Sequence, residues 1–152
     1  MNAQDIGLGT RLRRLLELLD GDLEGHYAET IPGYRPRFTP IVKALADGTA
    51  RTIKSVAAQS GVSHSAASQT VTLMLAEGLL RHEVGQDARE RMIRLSEKGA
   101  ALLPQLQAQW RRTDQAARAL EAEIGLPLSE AAAAAIRALE TRPFRDRIRG
   151  EA

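Results

Sequence analysis

Apolar residues recur at three- and four-residue intervals from Leu8 through Leu12, Leu15, Leu16, Leu19, Leu23 and Tyr27, with Arg11, Arg13, Arg14 and Glu17 set between them. That spacing gathers the leucines on one face of an α-helix and predicts an amphipathic first helix with a partner surface. Gly21 and Gly25 fall inside the pattern, and each costs about 1 kcal/mol relative to alanine in a helix interior. The favoured reading is a break near residue 21; the alternative is another backbone passing close by.

The stretch IPGYRPRFTP, with three prolines and a glycine, reads as a loop that ends with Thr39 as N-cap and Pro40 at the first helical position. A short helix over residues 40–46 follows, closed by Asp47 and Gly48. Thr52 then caps IKSVAAQS, which stops at Gly61, and Ser63 caps a second helix that runs to about Glu77. Two short helices joined by a glycine-containing turn form a helix-turn-helix pattern.

After Gly78 the run LLRHEV, a charged tip and RMIRLS predict a two-stranded β-hairpin, with Ile93 and Leu95 on one face and Met92 and Arg94 on the other. Ser96 caps a long helix whose buried side carries Leu102, Leu103, Leu106, Trp110, Ala117, Leu120 and Ile124, and which Gly125 ends. Pro104 kinks that helix or shifts its start, because proline has no backbone N–H to donate. Ser129 caps the last helix, EAAAAAIRALE, and the tail RPFRDRIRGEA is expected to be loosely held.

The chain has 152 residues, enough for one domain with its own core. Aromatic residues make up 3% and helix formers dominate, so the fold is mainly α, or α+β once the hairpin is counted. Absence of cysteine excludes disulfides, thiolate metal sites and thiol-oxidation sensing. No leader-like start and no run of about 18 apolar residues occurs, so a cytoplasmic protein is the expectation. Net charge is only +2, so placement of the arginines, more than total charge, must speak for or against nucleic acid.

Helix-turn-helix followed directly by a hairpin is the winged-helix order, in which the second helix enters the major groove and the hairpin tip reaches an adjacent minor groove or backbone. The run VAAQSGVSHSAASQTVTLMLAEGLLRHEVGQDARERMIRLSEKG resembles the DNA-binding core of the MarR family of bacterial transcription regulators. The resemblance rests on Gly61-Val62-Ser63 at the turn, Ser68, Gly78-Leu79, Asp87 and Arg89 in the wing, and Leu95-Ser96-Glu97-Lys98-Gly99 after it. It implies a single MarR-type domain over residues 1–152. Residues 37–96 would form the winged helix-turn-helix, and 1–36 with 97–152 a helical dimerisation region. It implies Asp87 bracing Arg89 for the minor groove. Ala88 replaces the middle arginine of the usual Asp-Arg-Arg wing, which lowers wing affinity or leaves Arg91 to compensate. Thr70 stands where an apolar residue is common.

Helical geometry turns Ala67, Val71 and Leu75 inward and leaves Ser63, His64, Ser65, Ser68, Gln69 and Thr72 outward, where they can bond phosphates or base edges. Gln69 is the candidate for direct readout, since its amide pairs in two places with adenine. Ser63, as N-cap, directs the positive helix end toward phosphate. DNA contacts are thus expected from these six residues with Arg89 and Arg91.

The resemblance also implies a homodimer on a pseudo-palindromic operator, acting as a repressor released by a small aromatic or phenolic effector. Tyr34, Arg37 and Trp110 are the candidate effector contacts, although a tryptophan in this place is most simply a core or dimer residue. The competing class is a winged-helix module that binds a partner protein through the same outward face.

The three histidines lack metal-ligand spacing, and DGDLEGHYAETI fails as a calcium loop because Ile31 occupies the closing glutamate position. No phosphate-binding glycine loop and no clustered carboxylates occur, so neither enzyme, metal nor cofactor is expected.

Overall fold

In a computed structural model the chain is described for residues 6–85, 87 and 91–150. The first helix, α1, spans Leu8–Thr30 without a break. This corrects the expected stop at Gly21. A β-carbon at Gly21 or Gly25 would meet nothing within 4 Å, so among the described residues no neighbouring backbone passes there either. The helix continues because Leu23, half-buried, and Tyr27, buried, anchor its C-terminal turns, which offsets roughly 1 kcal/mol per glycine.

A 3-10 turn, Pro36–Phe38, leads into α2, Thr39–Leu45. Thr39 is inside the helix rather than its cap, and its hydroxyl pairs with Tyr34 Oη at 3.0 Å instead. Tyr34 packs against Tyr27 and Phe38, with ring centroids 4.8 and 5.7 Å away, and these rings carry much of the aromatic core.

The hairpin is β2, Leu80–Val84, against β3, Arg91–Leu95, in antiparallel register from Leu80 opposite Leu95 to Val84 opposite Arg91. A third strand, β1, Arg51–Thr52, pairs with the other edge of β3, so the sheet order is β1-β3-β2 and the two-stranded expectation gains a strand. Two residues are too few for an alternating pattern to reveal. Around the sheet stand α3, Ile53–Ser60, and α4, His64–Ala76, and the core they share includes Ile41, Leu45, Val56, Val71, Met74 and Ile93.

Beyond the sheet, α5 is Glu97–Ala101 and α6 is Leu103–Ile124, with Pro104 at the restart, as its missing N–H requires. Gly125 ends α6 with φ 68°. The next helix, α7, Leu128–Thr141, has Pro127 before it and no side-chain cap. Ser129 is already helical and gives its backbone N–H to Glu121 Oε1 at 2.7 Å. The tail forms a further short helix, α8, Phe144–Arg149. Arg147 secures it by donating to the carbonyls of Arg142 and of Ala138, the latter also accepting the Arg142 N–H that ends α7.

The chain divides into two compact units, residues 1–103 and 104–152. Among the described residues no helix is long and apolar enough to cross a membrane.

Candidate nucleic-acid interface

The two helices of the pattern are set by local chemistry. Thr52 Oγ1 accepts the N–H of Ser55 at 3.2 Å and starts α3, and Gly61 ends it in the left-handed region at φ 67°, where a β-carbon is disfavoured. Ser63 Oγ then accepts the N–H of Ala66 at 3.2 Å and opens α4. Capping by both hydroxyls was legible from the sequence.

Ala67, Thr70, Val71 and Met74 of α4 are buried and Leu75 is half-buried. Thr70 therefore occupies a packed position, and it is the one buried polar residue among the described residues. The opposite face holds Ser63, His64, Ser65, Gln69 and Thr72, all exposed, with Ser68 half-buried beside them. Thr72 donates its hydroxyl to the carbonyl of Ser68 at 3.0 Å, so its oxygen faces outward as an acceptor. This face carries hydroxyls, one amide and one imidazole, and no lysine or arginine lies between His64 and Ala76. Such a surface is suited to hydrogen-bond readout, and charge for phosphates has to come from elsewhere.

Arg91 is exposed at the start of β3, and Asp87 is exposed before it. Arg89 and Ala88 lie outside the described residues, and with them the brace expected between Asp87 and Arg89.

The foot of the hairpin is tied in a way the sequence did not disclose. Arg94, on the middle strand, donates to Glu83 Oε2 on β2 at 2.9 Å and to the Gly48 carbonyl at 2.9 Å. Arg81, opposite Arg94 in register, stands 3.9 Å from the same carboxylate oxygen. Across the sheet, Arg51 makes a two-pronged pair with Asp47, both bonds at 2.7 Å, and Asp47 also accepts the N–H of Thr49. The guanidinium of Arg51, with that N–H, holds the Asp47 carboxyl well below the usual carboxylate range, and the Asp47 carboxylate raises Arg51 in turn. The partners of Arg94 are 11 and 46 residues away, and no local spacing signals them.

The candidate effector residues sit in different settings. Tyr34 is buried with its hydroxyl on Thr39, Arg37 is exposed in the 3-10 turn, and Trp110 is buried in α6. An open groove of about 420 Å³ lined by Thr39, Pro40, Lys43, Ala44, Gln59 and Ser60 includes none of them. Among the described residues no three acidic, histidine or cysteine side chains are grouped to hold a metal ion.

No protein-family model matches the chain, and no curated protein matches it by sequence. Solved structures do resemble it. A MarR family transcriptional regulator from Silicibacter pomeroyi shares 25% identity over 88% of this chain and 93% of its own, at a TM-score of 0.58. The Mycobacterium tuberculosis transcriptional regulator MosR, solved in complex with DNA, shares 22% over 91% of this chain and 99% of its own, at 0.69. Bordetella bronchiseptica BpsR, whose DNA binding is regulated by 6-hydroxynicotinic acid, shares 18% over 93% and 97%, at 0.62. The fold is thus the winged-helix fold of those proteins along most of the chain.

Proposed function

We propose that this MarR-family winged-helix chain binds double-stranded DNA in a sequence-specific manner and regulates transcription. The observation that carries the reading is the exposed face of α4, where Ser65, Gln69 and Thr72 present hydrogen-bonding groups on a helix whose opposite face is fixed in the core. Gln69 reads a base edge, the serines set the register on the backbone, and Arg89 and Arg91 supply the charge that α4 lacks.

Action as a homodimer follows from the same reading. A twofold pair sets its recognition helices about 34 Å apart, one turn of DNA, and favours a pseudo-palindromic site. The exposed leucines of α1 and the apolar face of α7, none of whose residues is buried, support a second copy as partner. Repression by occluding a promoter, relieved by a small aromatic or phenolic effector, completes the proposal, and similarity to BpsR supports it. Tyr34, Arg37 and Trp110 are the residues to substitute first in search of that effector.

Anisotropy titration with duplexes from upstream of the protein's own gene, repeated across salt, tests the reading, because DNA binding weakens steeply as counterions compete. Arg89→Ala should lower affinity for all duplexes and flatten the salt dependence. Gln69→Ala should cost about 1–3 kcal/mol on the preferred duplex and relax one base position. Salt-independent behaviour with every duplex would leave the outward face of α4 to a partner protein.

A further inference from the structure

We propose that Ser96 is a positioning residue for the recognition helix. Its hydroxyl joins the C-terminal end of α4 to the N-terminal end of α5 and so sets the angle at which α4 presents Ser65, Gln69 and Thr72. This role rests on the DNA reading above and deepens it.

The end of α4 is built as a closed turn. The N–H of Leu79 bonds the Met74 carbonyl at 2.9 Å, the N–H of Gly78 bonds that of Leu75 at 3.0 Å, and Gly78 sits at φ 72°. Met74 and Leu79 are both buried, which is the apolar contact such a turn uses. The carbonyls of Leu73, Met74 and Leu75 are thereby taken, and those of Glu77, Gly78 and Leu79 lie beyond the helix.

All three are taken by the segment after the hairpin. Lys98 Nζ donates to Glu77 O at 2.8 Å, Ser96 Oγ to Gly78 O at 2.6 Å, and the Ser96 N–H to Leu79 O at 3.0 Å. The same Ser96 oxygen accepts the N–H of Gly99 at 3.0 Å as the cap of α5. The approach is close enough that a β-carbon on Gly99 would run into the Leu79 carbonyl oxygen.

A hydroxyl donates and accepts through one atom, and both capacities of Ser96 are in use. Capping α5 alone would need only the acceptor. The donor adds the hydroxyl's own tie to the end of α4, between those of Lys98 and the Ser96 N–H. The consequence is geometric: a 13-residue helix is about 20 Å long, so a tilt of about 5° at its C-terminal end moves the N-terminal end by roughly 2 Å. That displacement exceeds what a base-edge hydrogen bond tolerates.

Three variants separate bridging from capping. Ser96→Ala loses both functions, Ser96→Asp keeps a cap but has no donor, and Ser96→Thr keeps both. Each is titrated against a preferred and an unrelated duplex, and amide exchange is followed at Gly78 and Leu79 without DNA. Ser96→Ala and Ser96→Asp should each lower the preference between the duplexes about tenfold, the loss of one well-formed base contact, while Ser96→Thr restores it. Exchange at Gly78 and Leu79 should quicken in the first two and recover in the third.

Preference equal to wild type in Ser96→Asp would reduce Ser96 to a cap and overturn the role. Equal weakening on both duplexes would do the same by pointing to loss of folded protein. A wild-type chain with no duplex preference overturns the DNA reading itself, and the exchange measurement tells that case apart because it reports the junction without DNA.

Discussion

Residues 27–103 and residues 104–150 obey the same rule of helical spacing with opposite results. In the first stretch the apolar positions from Tyr27 to Leu95 close on one another, and Phe38, Leu45, Val56, Met74 and Ile93 are shut off from solvent. In the second only Leu106 and Trp110 are buried among the described residues, whereas Ile124, Leu126, Ile136, Leu139, Phe144 and Ile148 are exposed. Helix α7 is the extreme: 14 residues of strongly amphipathic pattern with none buried. A helix of that length is marginal alone in water, so its apolar face belongs against another surface, which the proposed dimer would supply. Apolar periodicity therefore predicts that a face will be covered, and leaves open whether the same chain covers it.

The largest effect that sharpens this contrast is in the first region. Phe38→Ala should destabilise by about 3–5 kcal/mol, because a fully buried ring leaves a cavity between Tyr34 and the helices around it. Denaturant unfolding measures it. A loss near that of a surface substitution, within about 0.5 kcal/mol, would show that this core is not closed by the one chain.

The counterpart in the second region is Ile136→Glu with Leu139→Glu. Both side chains are roughly half exposed already, so the folded chain should lose little. What should change is size in solution, from a dimer to a single copy, as followed by sedimentation velocity. An unchanged dimer would mean that α7 is not where two copies meet, and the contrast would lose its explanation.

The parts legible in the sequence share a local cause. Thr52, Ser63 and Ser96 were readable as caps because a cap and the N–H it accepts are three residues apart. Pro104 was readable because a missing N–H acts where it stands. The hydroxyl and amide face of α4 followed from helical geometry once Ala67 and Val71 were set inward. By contrast, the unbroken run through Gly21 depends on what Tyr27 packs against, and β1 exists only because Arg51 and Thr52 meet β3 some 40 residues later. The second use of Ser96, as a donor to Gly78, and the grip of Arg94 on Glu83 and Gly48 are likewise tertiary. Thr39 and Ser129 were misread as caps for one reason: Thr39 is the first residue of α2 and Ser129 the second of α7, so each is already helical and its hydroxyl or N–H serves a different partner.

The smallest expected effect asks whether the two regions share an acid edge. In the first, Asp47 is depressed by the Arg51 guanidinium and then by the Thr49 N–H; in the second, Glu121 is depressed by the N–H of Ser129. A carboxylate whose pKa is lowered by folding contributes stability that is fully present above its unfolded value of about 4 and is lost as pH falls toward the folded value. Asp47→Asn and Glu121→Gln should therefore each melt below wild type by a margin that stays constant from pH 8 to about pH 5 and closes below about pH 4. The margins are small because both groups are on the surface, where water screens them. Closure of either margin between pH 5 and 8 would assign the dependence to another group. If only the Asp47 margin appears, the ladder around the hairpin foot is an intact native feature while the α6–α7 corner frays, and the contrast between the regions extends from their apolar faces to their polar ones.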